Sequence, residues 1–325
     1  KGSQGVGEQE NDEDDEEVKG FAVTTKAATS IGRGWATLNG SVNADNRVCT
    51  ISFEYDTSTE FKNSVSATPA TVQGDTTKTV YVNLSGLEPG TEYFFRVKAE
   101  YTGGPTYGSD MSFKTTTPKN FSIVFNPGAV YGSVEDIDGN TYKTITAGTQ
   151  TWMAENLRVT RFNDGTEIPF VPVALTWYTK AVPAYCWYNA DSLGYGALYN
   201  WYTIGTKNVC PEGWHVPSDA EWSALVEHLG GEAAAGGKLK ETGTTHWNVP
   251  NYGATNESGF SALPGGYRNT GGTFFSIRQK GYWWTSTEIS SIQSYYRAMG
   301  YNYSNIDRTA TSKISGFSIR CVKDN

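Results

Sequence analysis

Aromatic side chains next to amide, carboxylate or guanidinium groups recur through the second half of this 325-residue chain. Such neighbours suit the recognition of sugars, because the apolar C–H faces of a pyranose stack on aromatic rings while its hydroxyls meet polar groups. The candidate ligand-binding residues are Trp177, Trp187, Tyr188, Asn189, Trp247, Trp284, Tyr295, Arg297 and Tyr301. The competing interpretation is that most of these rings fill an irregular core. Adjacent strand residues such as Trp283 and Trp284 point to opposite faces, so we expect one in the core and the other exposed.

Thiol, metal and nucleophilic-serine chemistry have little support in the sequence. The cysteines Cys49, Cys186, Cys210 and Cys321 form no C-x-x-C pair, and the three histidines lack the spacing of zinc ligands. No Gly-x-Ser-x-Gly motif occurs, and the scattered carboxylates define no acid–base pair of fixed separation. We therefore predict no enzymatic activity and no cofactor. Calcium at Asp136–Asn140 is kept as an alternative, although the spacing and closing glutamate of an EF-hand are missing.

An acidic segment near the start accounts for most of the net charge of −8. Residues 8–17 carry eight carboxylates and no basic side chain, and such a run repels itself and cannot bury a core. We expect residues 1–19 to form a disordered tether. Acidic runs of this kind also resemble the export signals behind the lipidated cysteine of Bacteroidetes surface lipoproteins, but no such cysteine is present here. The acidic balance argues against nucleic-acid binding, and no apolar window is long enough to span a membrane.

Residues 20–117 alternate apolar and polar side chains in short runs separated by turns, a pattern typical of a β-sandwich. The segment Leu87–Tyr93 resembles the L-x-P-x-T-x-Y segment of fibronectin type III domains. That resemblance implies a tyrosine at the corner of the sandwich and makes Trp35 the buried tryptophan of an early strand. Domains of this family usually serve as spacers, and we expect the same here. Cys49 is alone in this segment, so we expect a buried thiol.

The clearest helix signal lies in the second half of the chain. Ser218 followed by Glu221 predicts a capping box, in which the hydroxyl and the carboxylate each accept one backbone amide. Apolar residues then recur at helical spacing, namely Trp222, Leu225, Val226 and Leu229. Gly230 and Gly231 favour the end of the helix, because glycine readily adopts a positive φ.

Residues 121–325 contain an ordered set of short motifs rich in glycine and aromatic residues. In chain order they are Asp136–Asn140, Trp152–Leu157, Asn163–Gly165, Tyr185–Asn189, Tyr199–Tyr202, Cys210–Pro217, Ser258–Arg268, Gly281–Thr287 and Gly316–Val322. The whole set resembles the Fibrobacter succinogenes major paralogous domain and, more remotely, the formylglycine-generating and C-type-lectin-like superfamily. The resemblance implies an α+β, loop-rich, C-type-lectin-like domain with a small twisted sheet and one or two helices. The chain is thus expected to be multidomain, with this domain behind an all-β fibronectin type III-like sandwich.

The resemblance also bears on the cysteines and the arginines. In that fold the last strand lies near the start of the helical part, which implies a Cys210–Cys321 disulfide, with Cys186 either free or replacing one partner. Formylglycine-generating enzymes activate oxygen with a thiol pair, and no cysteine lies between residues 211 and 320 to supply it. We expect Arg268 and Arg320 to hold loops by bonding carboxylates or carbonyls.

These expectations define a secreted or surface-anchored bacterial protein with an acidic tether, a spacer and a terminal binding domain. The expected partner is a glycan or a surface glycoprotein, and a lost N-terminal lipid anchor would associate the chain with the outer membrane. The alternative is a structural or fimbria-associated subunit without a small ligand. A concave aromatic patch with a polar rim would favour binding, whereas a flat apolar edge would favour assembly.

Overall fold

The computed structural model describes residues 20–116, 121–179, 181–188, 193–205 and 208–324. The predicted tether 1–19 therefore lies outside the described residues, as does Asn189. The chain divides into two compact units. Among the described residues, the first contains 20–27, Leu38–Val82 and Tyr93–Ser112, and the second contains Ala28–Thr37, Asn83–Glu92 and those from Phe113 to Asp324.

The N-terminal region is all β, as its alternating pattern predicts. Its strands are β1 (Ala22–Thr29), β2 (Ala36–Asn43), β3 (Val48–Asp56), β4 (Asn63–Gln73), β5 (Lys78–Leu84), β6 (Glu92–Tyr101), β7 (Gly104–Tyr107) and β8 (Met111–Lys114). They pair in the order β1-β2-β5-β4-β3-β6-β7, with β8 on β6. Phe53 of β3 pairs with Val97 of β6, and both are fully buried, because every second residue of each strand faces the core. Cys49 and Trp35 are buried as predicted.

The second half is also rich in strands. They are β9 (Gly132–Glu135), β10 (Thr141–Ala147), β11 (Gln150–Met153), β12 (Tyr185–Cys186), β13 (Leu198–Tyr199), β14 (Trp214–His215), β15 (Gly265–Arg268), β16 (Phe274–Ile277), β17 (Lys280–Glu288), β18 (Gln293–Gly300), β19 (Ile306–Ser312) and β20 (Val322–Lys323). One sheet has the order β14-β20-β11-β10-β9, and another has the order β16-β15-β17-β18-β19. This region therefore contains more strand than the single small sheet that the resemblance implies.

Short helices connect these sheets. They are α1 (Ala174–Tyr178), α2 (Trp201–Ile204), α3 (Asp219–His228) and α4 (Glu232–Leu239). Helix α3 begins with the predicted capping box: the Ser218 hydroxyl accepts the amide of Glu221, and the Glu221 carboxylate accepts the amide of Ser218 at 2.7 Å. Gly230 and Gly231 follow the helix with φ of 96° and 89°. In the part of the chain that the structure describes, no helix is long and apolar enough to span a membrane.

A disulfide joins Cys210 to Cys321, as predicted, across a sequence separation of 111 residues. Cys186 remains a free, buried thiol. The bond ties the turn before β14 to the residue before β20, and these two strands are neighbours in the same sheet. The disulfide therefore joins the two ends of the segment 210–321 at the point where strands β14 and β20 already pair.

Candidate ligand-binding site

The register of the second five-stranded sheet places four aromatic residues on one face. Tyr267 of β15 pairs with Phe275 of β16, and Gly266 of β15 pairs with Gly281 of β17 in parallel, which sets Tyr282 beside Tyr267. Tyr296 of β18 lies on the same face, because it pairs with Trp284, two residues beyond Tyr282 on β17. Four neighbouring strands thus each present one ring to the same side of the sheet.

These rings form a continuous line, which we call the aromatic row: Phe275, Tyr267, Tyr282 and Tyr296. Successive ring centroids are 5.6, 4.8 and 5.9 Å apart. Phe275 is 42% exposed, and the three tyrosines are half-buried. The row therefore offers partly exposed rings at close and regular spacing.

Phe317 fixes the row from its buried side. Its ring centroid lies 5.8 Å from that of Tyr267, 5.2 Å from Tyr282 and 4.7 Å from Tyr296. Trp284 packs against Phe317 at 4.5 Å and is fully buried. Because close packing restricts the rotamers of the three tyrosines, little conformational entropy remains to be lost when a ligand binds.

Two tyrosine hydroxyls of the row, those of Tyr282 and Tyr296, stay neutral over the physiological pH range. Burial raises the pKa of Tyr282 to about 12, although a hydrogen bond with Ser276 opposes the shift. Burial likewise raises the pKa of Tyr296, against a hydrogen bond with Thr309. A neutral phenol can both donate and accept a hydrogen bond, so each ring combines an apolar face with a polar group that suits a sugar hydroxyl.

Two opposite charges flank the row, and both have partners within the molecule. The Asp307 carboxylate accepts the Tyr303 hydroxyl at 2.7 Å and the Asn305 amide at 2.6 Å. The Lys280 ammonium lies 5.4 Å from the centre of the Tyr303 ring. The row is therefore bordered by polar groups without a dominant charge.

The opposite face of the same sheet is closed. Arg297 is buried and donates to the Asp219 carboxylate at 2.9 Å and to the Ser223 hydroxyl at 2.8 Å. Tyr295 is half-buried, and the Arg308 guanidinium lies over its ring at 4.0 Å from the centroid. Arg308 also pairs with Asp219 at 2.8 Å. One face of the Tyr295 ring is thus already occupied by a neighbouring side chain.

Most of the candidates from the sequence are core residues, as the competing interpretation holds. The buried ones are Trp177, Trp187, Tyr188, Trp247, Trp284 and Arg297. Trp283 and Trp284 are both fully buried, because this sheet is covered on both sides where they lie. Indole groups also brace the loops: Trp247 donates to the Ala262 carbonyl at 3.0 Å, and Trp284 donates to the Tyr199 carbonyl at 2.8 Å.

Tyr295 and Tyr301 are the candidates that stay half-buried, and neither belongs to the aromatic row. The four row residues were missed because they meet through three separate strand pairings, β16 with β15, β15 with β17 and β17 with β18. The sequence alone shows that Tyr282 lies on the same face of its strand as Trp284, because the two residues are two positions apart. The partners on β15 and β16 could not be assigned from spacing alone.

Buried cations organise the loops around this sheet, as predicted for Arg268 and Arg320. Arg268 donates to the carbonyls of Gly272 and Pro172, each at 2.9 Å. Arg320 donates to the Asn156 side chain at 2.9 Å and to the carbonyls of Phe260 and Ser261. Burial lowers the pKa of Arg320 to about 9. These guanidinium groups therefore serve as internal donors.

The loop considered for calcium uses its carboxylates in hydrogen bonds. Asp136 accepts the amides of Asp138 and Asn140, each at 3.0 Å, and the Tyr142 hydroxyl at 2.6 Å. Asp138 accepts the Arg161 guanidinium at 2.6 Å. Over the described residues, no group of three or more His, Cys, Asp and Glu side chains is arranged to hold a metal ion.

Residues 145–323 match the sequence model of the Fibrobacter succinogenes major domain, and residues 23–117 match that of the N-terminal domain of PhoD-like phosphatases. No curated protein matches the chain. Among solved structures, the sensor domain of the anti-sigma factor RsgI4 in Pseudobacteroides cellulosolvens is 20% identical, with 30% of this chain and 95% of that chain covered and a TM-score of 0.25. The fibronectin type III domain derived from human KIAA0970 protein is 16% identical, with 35% and 85% covered and a TM-score of 0.22. PhoD is also 16% identical, with 31% and 20% covered and a TM-score of 0.21.

Proposed function

This chain belongs to the family of the Fibrobacter succinogenes major domain, and we propose that its C-terminal region is a non-catalytic binding domain for a glycan or glycoprotein. The aromatic row is the observation that carries the proposal. Aromatic rings that are partly exposed and held by a packed core provide stacking surfaces at low entropic cost, and their neutral hydroxyls add hydrogen bonds. A C-type-lectin-like architecture for this region is part of the same proposal.

The location that we propose is extracellular, either secreted or anchored at the outer membrane. The Cys210–Cys321 disulfide supports it, because disulfides persist mainly in oxidising compartments. The acidic segment 8–17 would then act as a tether behind an N-terminal lipid anchor, and the N-terminal β domain would act as a spacer.

A glycan array probed with the labelled 325-residue chain tests the proposed function. We expect binding to at least one class of glycan. Tyr296→Ala removes one ring of the row and should weaken that binding by about tenfold, a loss of about 1.4 kcal/mol. An array without signal from a protein with a cooperative melting transition would refute the proposal.

Tyr295→Ala provides a matched control for the array experiment. Tyr295 and Tyr296 are adjacent on β18 and both half-buried, yet their side chains lie on opposite faces of the sheet. We expect Tyr295→Ala to bind the same glycans as the unmodified chain. Equal losses of affinity in the two variants would show that the row is not the binding surface.

A structural subunit is the second candidate function. The observation that favours it is the turn between β17 and β18, where Ile289 and Ile292 are 44% and 66% exposed. Exposed apolar side chains at a hairpin tip suit contact between subunits. Sedimentation velocity over a range of concentrations tests this function: self-association that Ile289→Ser and Ile292→Ser abolish, together with a silent array, would favour assembly over binding.

A further inference from the structure

We infer that the ligand of the aromatic row is a single, uncharged, extended polysaccharide chain that lies across the strands. The inference rests on the proposed function and names the class of ligand. Three features of the row support it: its length, the tilt between its rings and the charges beside it.

The length of the row favours a chain over a single terminal sugar. The four rings lie on four adjacent strands, and neighbouring strands are about 4.8 Å apart, so the row is roughly 14 Å long. The centroid separations of 4.8 to 5.9 Å are close to the advance of one sugar residue along an extended chain. Consecutive sugar residues can therefore face consecutive rings.

The tilt between the rings favours one chain over the flat face of a crystalline polymer. The ring planes of successive residues differ by 28°, 54° and 46°. Strands of a sheet are rotated by about 20–25° relative to their neighbours, so a row across four strands cannot stay coplanar. A flat surface would touch only part of such a row, whereas a single chain can twist to follow it.

The charges beside the row favour a neutral ligand. Among the described residues of β17, β18 and β19 on this face, Lys280, Glu288 and Asp307 carry charge. The Glu288 carboxylate pairs with the Lys313 ammonium at 3.2 Å. The Lys280 ammonium lies over the Tyr303 ring, and Asp307 accepts two hydrogen bonds from its neighbours. An acidic polysaccharide would meet no cluster of cations on these strands to attract it.

The test compares three kinds of polymer against the full chain. Calorimetry with mixed-linkage β-glucan and galactomannan supplies neutral chains, polygalacturonate supplies an acidic chain, and a pull-down with microcrystalline cellulose supplies a flat crystal face. We expect a neutral soluble chain to bind at least about tenfold more tightly than polygalacturonate, and no depletion by the crystalline polymer. Oligosaccharides of the bound polymer should gain affinity with length until about three or four sugar residues span the row.

The variants Tyr296→Ala and Tyr295→Ala assign each result to the row or to another surface. Binding of polygalacturonate or crystalline cellulose that is lost in Tyr296→Ala and kept in Tyr295→Ala would overturn the inference and leave the proposed function standing. A single sugar that binds as tightly as its oligomers would overturn it in the same way. Failure of every glycan to bind would remove the proposed function itself.

Discussion

The N-terminal sheet and the C-terminal region satisfy their buried polar groups differently. In the N-terminal sheet, ladders such as β3–β6 pair the backbone, and no Lys or Arg among residues 20–116 is buried. In the C-terminal region, Arg268, Arg320 and Lys240 are fully buried, and each donates to a carbonyl of an irregular segment. An irregular backbone cannot pair with itself, so side-chain donors must replace the missing ladder. The stability of the C-terminal region should therefore depend on a few polar residues and one cross-link.

Loss of the cross-link should produce the largest difference between the two regions. Replacing Cys210 and Cys321 by Ala frees a loop of about 110 residues, which the chain-entropy model values at about 4–5 kcal/mol. We expect urea to unfold the C-terminal region at a much lower concentration and the N-terminal β domain at an unchanged one. Cys186→Ala, which removes a buried thiol but no bond, should cost only about 1 kcal/mol. An equal urea midpoint for the C-terminal region in the variant without Cys210 and Cys321 and in the unmodified chain would contradict the prediction.

Removal of a buried cation should have the next largest effect. Arg320→Met leaves the Asn156 side chain and two carbonyls without their donor, and we expect a loss of about 3–4 kcal/mol. Arg96→Met in the N-terminal sheet is the matched control, because Arg96 pairs with Glu54 at 2.8 Å but is only partly buried. That variant should lose about 1 kcal/mol or less. Differential scanning calorimetry measures both losses. Similar losses would show that the burial of the arginine does not determine its contribution to stability.

The helix cap should contribute less. Ser218→Ala removes the hydroxyl that accepts the Glu221 amide at 3.2 Å, and we expect a loss of about 1 kcal/mol. Ser218→Thr keeps a hydroxyl at the same position and should retain most of the stability. Guanidinium unfolding curves of the two variants give the comparison, and identical midpoints would mean that the cap does not stabilise α3.

The pH dependence at His215 should be the smallest effect. Burial lowers the pKa of His215, but hydrogen bonds with the carboxylates of Asp324 and Glu221 outweigh it and raise the pKa. This stabilisation is complete below the unfolded pKa of about 6.5 and is lost as the pH rises through the folded value. Because the imidazole is partly exposed, we expect a change of less than about 1 kcal/mol. Melting temperatures across this range should fall slightly for the unmodified chain and stay flat for His215→Gln.

The same comparison explains what the sequence could predict. Alternation in residues 20–117 predicted strands, and Ser218 with Glu221 predicted the start of α3, because both signals lie within a few residues. The Cys210–Cys321 pair followed from a family resemblance. The aromatic row could not be predicted, since it depends on the pairing of β15 with β17, which are neighbours in the sheet but are not consecutive in the sequence. The exposure of the tryptophans could not be predicted either, because alternation assigns a face and cannot say whether that face is covered.

The position of β20 has a consequence for biogenesis. This strand lies between β14 and β11, and the residues just before it supply Phe317, Arg320 and Cys321. Translation releases these residues last within the domain, whereas every strand of the N-terminal sheet has emerged by Lys114. The sheet with the order β14-β20-β11-β10-β9 therefore stays incomplete until this final segment has been synthesised. Until that segment arrives, Cys210 lacks its disulfide partner and can mispair with Cys186.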